Sequence, residues 1–258
     1  MSDGRGLQYL FPMLSEKPWR VEVVMQFIAA QLACLCLGIV AVSVLHRLGI
    51  SGFKDEEGFG TILVATLSFQ GASWLLILWF LRQHQTGWRE ALGFRGPKIE
   101  SVPHLVYGFA VVFVVVLLLQ DASMWTLTKL GWPPEDEAAV KLLSDAKSWW
   151  TSAYLGVFAV VIAPVAEEFF FRGMLFPFVK RIGFPGLAWF GVSGLFALIH
   201  ADAATFVPLF VFALALTWLY EKTDNLLAPI TAHALFNAGN LVLLWAGDAF
   251  SRTLPPQQ

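Results

Sequence analysis

The stretch 161–181, VIAPVAEEFFFRGMLFPFVKR, places Glu167, Glu168 and Arg172 in the middle of an otherwise apolar run. Charges at bilayer depth cost roughly 2.5–3.5 kcal/mol each on insertion scales, so on the order of 7–10 kcal/mol for three. Such a cost is sustained where charges pair, line a cavity or do chemistry. Glu168 and Arg172 are spaced i,i+4, on one helix face, and can pair. Glu167 is turned about 100° from Glu168 and is the carboxylate freer to act on something else. Two further apolar segments carry His200 and, again at i,i+4, His233 with Asn237. A carboxylate with a His beside it can take a proton from water. A second His and an Asn on one face can donate hydrogen bonds to a developing oxyanion. Together these groups suit amide hydrolysis by activated water, without a covalent enzyme intermediate. Ser193 shares a face with His200 but has no second partner visible in the sequence, so no Ser or Cys nucleophile is clearly placed.

Helix rise lets the depths of these groups be compared. Counted from Lys180, Glu167 lies roughly 20 Å deep, and counted from Gly186, His200 lies roughly 21 Å from the same surface. Counted from Asn225, His233 lies roughly 12 Å deep and Asn237 roughly 18 Å. Three helices that meet one face therefore bring two Glu, two His and one Asn to a similar level, near the middle of a ~30 Å hydrocarbon core. Pro164, one turn before the Glu pair, frees a backbone carbonyl and is expected to kink the helix.

The elements that must position these groups are membrane spans. The chain is 57% hydrophobic and 14% charged, with a mean hydropathy of +0.65, where soluble domains carry about 25% charged residues. The net charge of −2 gives nothing to attract nucleic acid. Apolar runs predict an all-α polytopic bundle of about seven spans (seven or eight): 21–45, 61–81, 103–128, 151–180, 186–201, 203–220 and 226–246. The fifth is short for a full span and is expected to stop inside the protein. Residues 1–20 read as a polar, basic leader rather than a cleaved signal, with Trp19 as an interfacial anchor. Residues 1–150, the leader and three spans, are expected to support a catalytic core at 151–248 within a single membrane domain. Ser68, Gln70 and Ser73 suit helix–helix hydrogen bonds. Asp121 is expected near the surface, with a supporting role at the site as the alternative. His46, His84 and His104 lie at span ends or in loops and read as solvated. The run KLLSDAKSWW (141–150) is amphipathic enough to lie on the surface. Cys34 and Cys36, about 200° apart on one helix, suit neither a disulfide nor a shared metal. The short loops on the N-terminal side carry ten Lys and Arg against six on the other, which places the N-terminus in the cytoplasm.

The motifs E167-E168-F-F-F-R172, F196-A-L-I-H200 and H233-A-L-F-N237, in this order and inside spans, resemble those of the CPBP family. This is the CAAX prenyl protease and bacteriocin-processing family of intramembrane endopeptidases, also called Abi. The approach YEKTDNLLAPITAHALFN is similar as well, apart from Asp224 where a Gly is expected in the turn. The resemblance covers about 151–240; before that the chain is similar only in having spans. It implies a helical membrane bundle around a cavity open to one side and to lipid. It implies Glu167 as general base, with His200 helping to activate water. It implies His233 and Asn237 as the oxyanion hole, Arg172 orienting the carboxylates, and Glu168 as a second Glu of less defined role. The implied substrate is a lipidated or membrane-embedded peptide or protein, since eukaryotic relatives cleave C-terminal to a prenylated Cys. The compact chain suggests a bacterial cell membrane.

Two alternatives stay open at the level of sequence. Glu167, His200 and His233 are also zinc-ligand types and could leave a fourth position for water, although no HExxH occurs and each would come from a different helix. The favoured expectation is that no metal or other cofactor is needed. Alternatively, intramembrane Glu and His also occur in non-catalytic scaffold or immunity proteins and in transporters.

Overall fold

The computed structural model describes residues 17, 19–54, 58–93, 102–132, 149–200 and 202–251. Among them all regular structure is helical. Helix α1 is Val21–Arg47. Helix α2 runs 59–83, and the short α3 is Trp88–Leu92. Helix α4 is Val102–Lys129, and α5 runs 149–181. Helix α6 is Leu187–Leu198, α7 Ala203–Thr223 and α8 Leu227–Ser251. Six of these, α1, α2, α4, α5, α7 and α8, are long and apolar enough to cross a membrane. The chain is a multi-pass, all-α membrane protein. Helix α6 is the short fifth segment: it stops at Leu198 and gives way to turns before α7. The run 141–148 of the expected surface segment lies outside the described residues, as does the side chain of His104.

Helix α5 is the axis of the bundle. Half of its span is buried (50%), against 6% of the α4 span, so α5 faces protein on most sides and α4 faces outward on most of its own. The core explains this. Phe169, Phe171, Met174 and Phe176 of α5 pack with Phe27 of α1, Phe80 of α2 and Phe196 of α6. Rings meet edge to face, as in Phe80–Phe169 at 5.7 Å and Phe171–Phe196 at 5.3 Å. A second cluster, Val116, Phe212, Leu216 and Phe236, ties α4 to α7 and α8. Helices α1 and α2 approach so closely that a Cβ on Gly38 would lie 2.1 Å from Ser68 Oγ. Cys34 and Cys36 are free thiols, Cys36 on the outer face. Asp121 is exposed on α4.

Several helices widen to i→i+5 turns around the core: Leu67–Gly71 in α2, Phe158–Ile162 and Phe169–Leu175 in α5, and Leu187–Gly191 in α6. Such turns leave carbonyls without helical donors and gather at functional sites. The bundle covers them with side chains from neighbouring helices. At the end where α5 finishes, Pro177 has no N–H to give the Gly173 carbonyl, and Trp19 Nε1 donates to it at 2.8 Å. Trp19 is therefore not an interfacial anchor. It is 1% exposed, seated edge-on against Phe80 and His84, and its own carbonyl accepts from Arg181 Nη1 at 2.7 Å. A Trp beside an uncovered carbonyl gains more from burial plus that bond than from the interface.

His84 departs from expectation for the same reason. It is half-buried, with Nδ1 donating to Phe80 O at 2.9 Å and Nε2 accepting the Arg20 backbone N–H at 2.9 Å. Burial, helped by the charge of Arg20 and opposed by the Phe80 bond, holds its imidazole below the ordinary range. The α7–α8 turn closes the same end. Asp224 adopts the left-handed conformation at φ 45° that a Gly would take more cheaply, and Lys17 Nζ meets its Oδ1 at 3.0 Å. Trp19→Phe keeps an aromatic ring but leaves the Gly173 carbonyl unpaired. It should cost about 2 kcal/mol of stability, read as a lowered unfolding midpoint in detergent.

Candidate active site

The site is built where α5, α7 and α8 touch. Arg172 is wholly buried within the 169–175 wide turn, and each side of its guanidinium is used. Nη1 donates to Glu168 Oε1 at 2.9 Å, Nη2 to Ala213 O at 2.9 Å, and Nε to Thr217 Oγ1 at 3.4 Å. The ring of Phe196 lies 4.7 Å from its Cζ. Ser193 Oγ stands 3.4 Å from Thr217 Oγ1, which makes it part of the lining beneath Arg172 and not an approach to a substrate. A fixed cation in this position makes a buried carboxylate at Glu168 sustainable.

His233 joins the two carboxylates. Its Nδ1 lies 2.8 Å from Glu168 Oε1, and its Nε2 lies 3.9 Å from Glu167 Oε2. An ion-paired carboxylate accepts only, so Nδ1 carries the proton and Nε2 is turned toward Glu167. Phe212 and Phe196 flank the imidazole at 5.6 and 5.7 Å between centroids. Glu168 Oε2 is buried without a hydrogen-bond partner among the described residues. Glu167, 7% exposed, is held much more loosely: its Oε1 meets Gln70 Nε2 at 3.5 Å, and its Oε2 faces His233. The two adjacent carboxylates thus have different surroundings. Glu168 is neutralised and clamped, while Glu167 is left with capacity to accept.

Asn237 is set by the first wide turn of α5. Ala163 N–H reaches back to Phe158 O, and Pro164, next in line, has no N–H, so the Ala159 carbonyl is left open. Asn237 Nδ2 donates to it at 2.8 Å. One amide hydrogen is spent there and a second remains. Trp74 Nε1 of α2 covers Ile162 O in the same turn at 3.3 Å. His200, half-buried just past α6, donates from Nδ1 to Phe196 O at 2.8 Å, which leaves Nε2 as its accepting nitrogen. Its ring packs on Phe196 at 4.9 Å, so one Phe links both imidazoles.

Each residue singled out from sequence is therefore located. Glu167, Glu168, Arg172 and His233 form one contiguous network. His200 adjoins it through Phe196, and Asn237 through the α5 backbone. The imidazole nearest Glu167 by a direct contact is His233, whereas the sequence pointed to His200. Among the described residues no three His, Cys, Asp or Glu side chains group so as to hold a metal ion. Thr217 and Gln31 escaped the sequence reading. Gln31 is a polar residue in the middle of the first apolar run, and that was the available signal; Thr217 has none.

Comparison with known proteins falls on the same segment. Residues 149–239 match the family described as type II CAAX prenyl endopeptidase Rce1-like. Among curated proteins, UPF0177 protein YxdF of Lactococcus lactis subsp. lactis (strain IL1403) is similar, at 29% identity over 99 residues. That alignment covers 37% of this chain and 52% of YxdF, so the chain spans about half the length of the curated relative it matches. No solved structure matches. The matched segment contains all three motifs, EExxxR, FxxxH and HxxxN.

Proposed function

We propose that this chain, whose residues 149–239 match the type II CAAX prenyl endopeptidase Rce1-like family, is an intramembrane endopeptidase that hydrolyses a peptide bond of a lipidated or membrane-embedded substrate. The observation that carries the proposal is the division of labour between the two carboxylates. Glu168 is bound by Arg172 and His233 at 2.9 and 2.8 Å, and Glu167 beside it keeps only long contacts. A buried carboxylate with free lone pairs next to an imidazole is suited to accept a proton from water.

In this mechanism water gives its proton to Glu167, with His200 Nε2 as the second acceptor that orients it. The hydroxide attacks the scissile carbonyl carbon. His233 and the remaining Asn237 amide hydrogen donate to the oxyanion; for His233 this role requires a proton on Nε2 as well as on Nδ1. Collapse of the tetrahedral intermediate breaks the C–N bond, and the proton held by Glu167 passes to the leaving amine. Glu168 and Arg172 hold His233 in orientation. No step requires a metal. The short α6 ends beside the half-exposed His200, and entry of an apolar substrate from lipid on that side belongs to this reading.

The test uses purified protein and a fluorescence-quenched peptide ending in a farnesylated Cys plus three residues, with and without chelator. His233→Ala and Asn237→Ala should each lower kcat about a hundredfold with KM little changed, because their hydrogen bonds strengthen in the transition state. His200→Ala should lower it at least as far. Loss confined to KM would contradict the oxyanion roles, and chelator sensitivity would contradict the metal-free route.

A further inference from the structure

Gln70 lies outside the segment that matches the family, in the second span. We infer that it is a positioning residue for Glu167, so that the catalytic carboxylate is held from α2 as well as from α8. This rests on Glu167 being the base. Gln70 Nε2 approaches Glu167 Oε1 at 3.5 Å while His233 Nε2 faces Oε2 at 3.9 Å, one neighbour for each oxygen. The contact is at the long end of hydrogen bonding, and what gives it weight is the structure spent on aiming it.

Gln70 sits in the 67–71 wide turn, which rotates the helix relative to a regular α-helix. That turn is not left to chance. Gln31 of α1, 2% exposed, donates from Nε2 to both Ser68 O and Phe69 O at 3.2 Å. Ser73, fully buried, donates in turn to Gln31 Oε1 at 3.0 Å. The α1–α2 contact at Gly38 leaves no room for another residue's Cβ beside Ser68. One turn beyond Gln70, Trp74 grips α5 at Ile162 O, five residues before Glu167. Helix α2 is thus fastened to α1 on one side and to α5 on the other, with Gln70 between the fastenings and pointed at the freer carboxylate. A side-chain N–H donor at that position occupies a lone pair of Glu167 Oε1 and holds the carboxylate in orientation.

The consequence can be read without a substrate. Dicyclohexylcarbodiimide enters apolar surroundings and reacts with protonated carboxyl groups, and peptide mass spectrometry gives the extent of labelling at Glu167 and Glu168 in the same molecule. Gln70→Met keeps the length and removes the donor. It should raise the Glu167 to Glu168 labelling ratio about fivefold at neutral pH, the effect of one modest hydrogen bond. Gln70→Glu, which replaces the donor with a second carboxylate, should move the ratio the same way and carries the test if the Met variant does not fold. An unchanged ratio in a folded variant would overturn the inference. So would equal rises at both carboxylates, which would mean that Gln70 only supports packing. If Glu167→Gln keeps its proteolytic activity while the ratio shifts as stated, the endopeptidase mechanism fails and the Gln70 contact stands.

Discussion

Arg172→Ala should lose about 3–5 kcal/mol of stability, the usual cost of removing one partner from a buried ion pair. The magnitude follows from the absence of any substitute. Arg172 and Glu168 are both wholly buried, and the guanidinium alone serves Glu168, the Ala213 carbonyl and Thr217. After truncation Glu168 keeps only His233, and His233 is then drawn by one carboxylate on each side with no fixed cation nearby. Arg172→Lys should recover part of the loss, because an ammonium restores charge but cannot reach three acceptors in different directions. Unfolding in detergent measures both. A fully stable Arg172→Ala protein would mean that Glu168 carries no charge in the folded state.

Glu167→Gln should behave in the opposite way: little change in stability and a fall in peptide cleavage of about 10³-fold or more, the upper part of the range for general acid–base catalysis. The substitution keeps shape, and the interactions it alters are the long ones to Gln70 and His233. It removes the lone-pair basicity on which proton abstraction depends. Glu168→Gln, by contrast, should destabilise, since a neutral amide faces Arg172. Adjacent, chemically identical residues with opposite profiles would be the signature of the division of labour between them.

Much of this arrangement was legible in the sequence. Four-residue spacing gave the Glu168–Arg172 pair, because the helix period alone sets it. Apolar runs gave the spans, and the shortness of 186–201 gave a helix shorter than a full span. Helix rise gave depth but not azimuth, and azimuth decides which imidazole lies beside Glu167. The wide turns in α2 and α5 shift that azimuth, and nothing in local composition announces them except Pro164. Trp19 was misread because an aromatic at a span boundary is ordinarily interfacial; its burial depends on a carbonyl freed by Pro177, far along the chain. Gln70 looked like a helix–helix bonding group, as it is, and only the fold shows that a chain of contacts from Gln31 through the 67–71 turn ends at Glu167.

The central claim is that Glu167 drives hydrolysis of peptide bonds in the membrane. Its most direct test compares new peptide ends in membranes of cells making the wild type or Glu167→Gln, with and without chelator. The account predicts ends that appear with the wild type, vanish with Glu167→Gln and persist in chelator. Identical ends in both, with the cellular phenotype of the protein intact in the variant, would contradict it and identify a non-catalytic membrane scaffold.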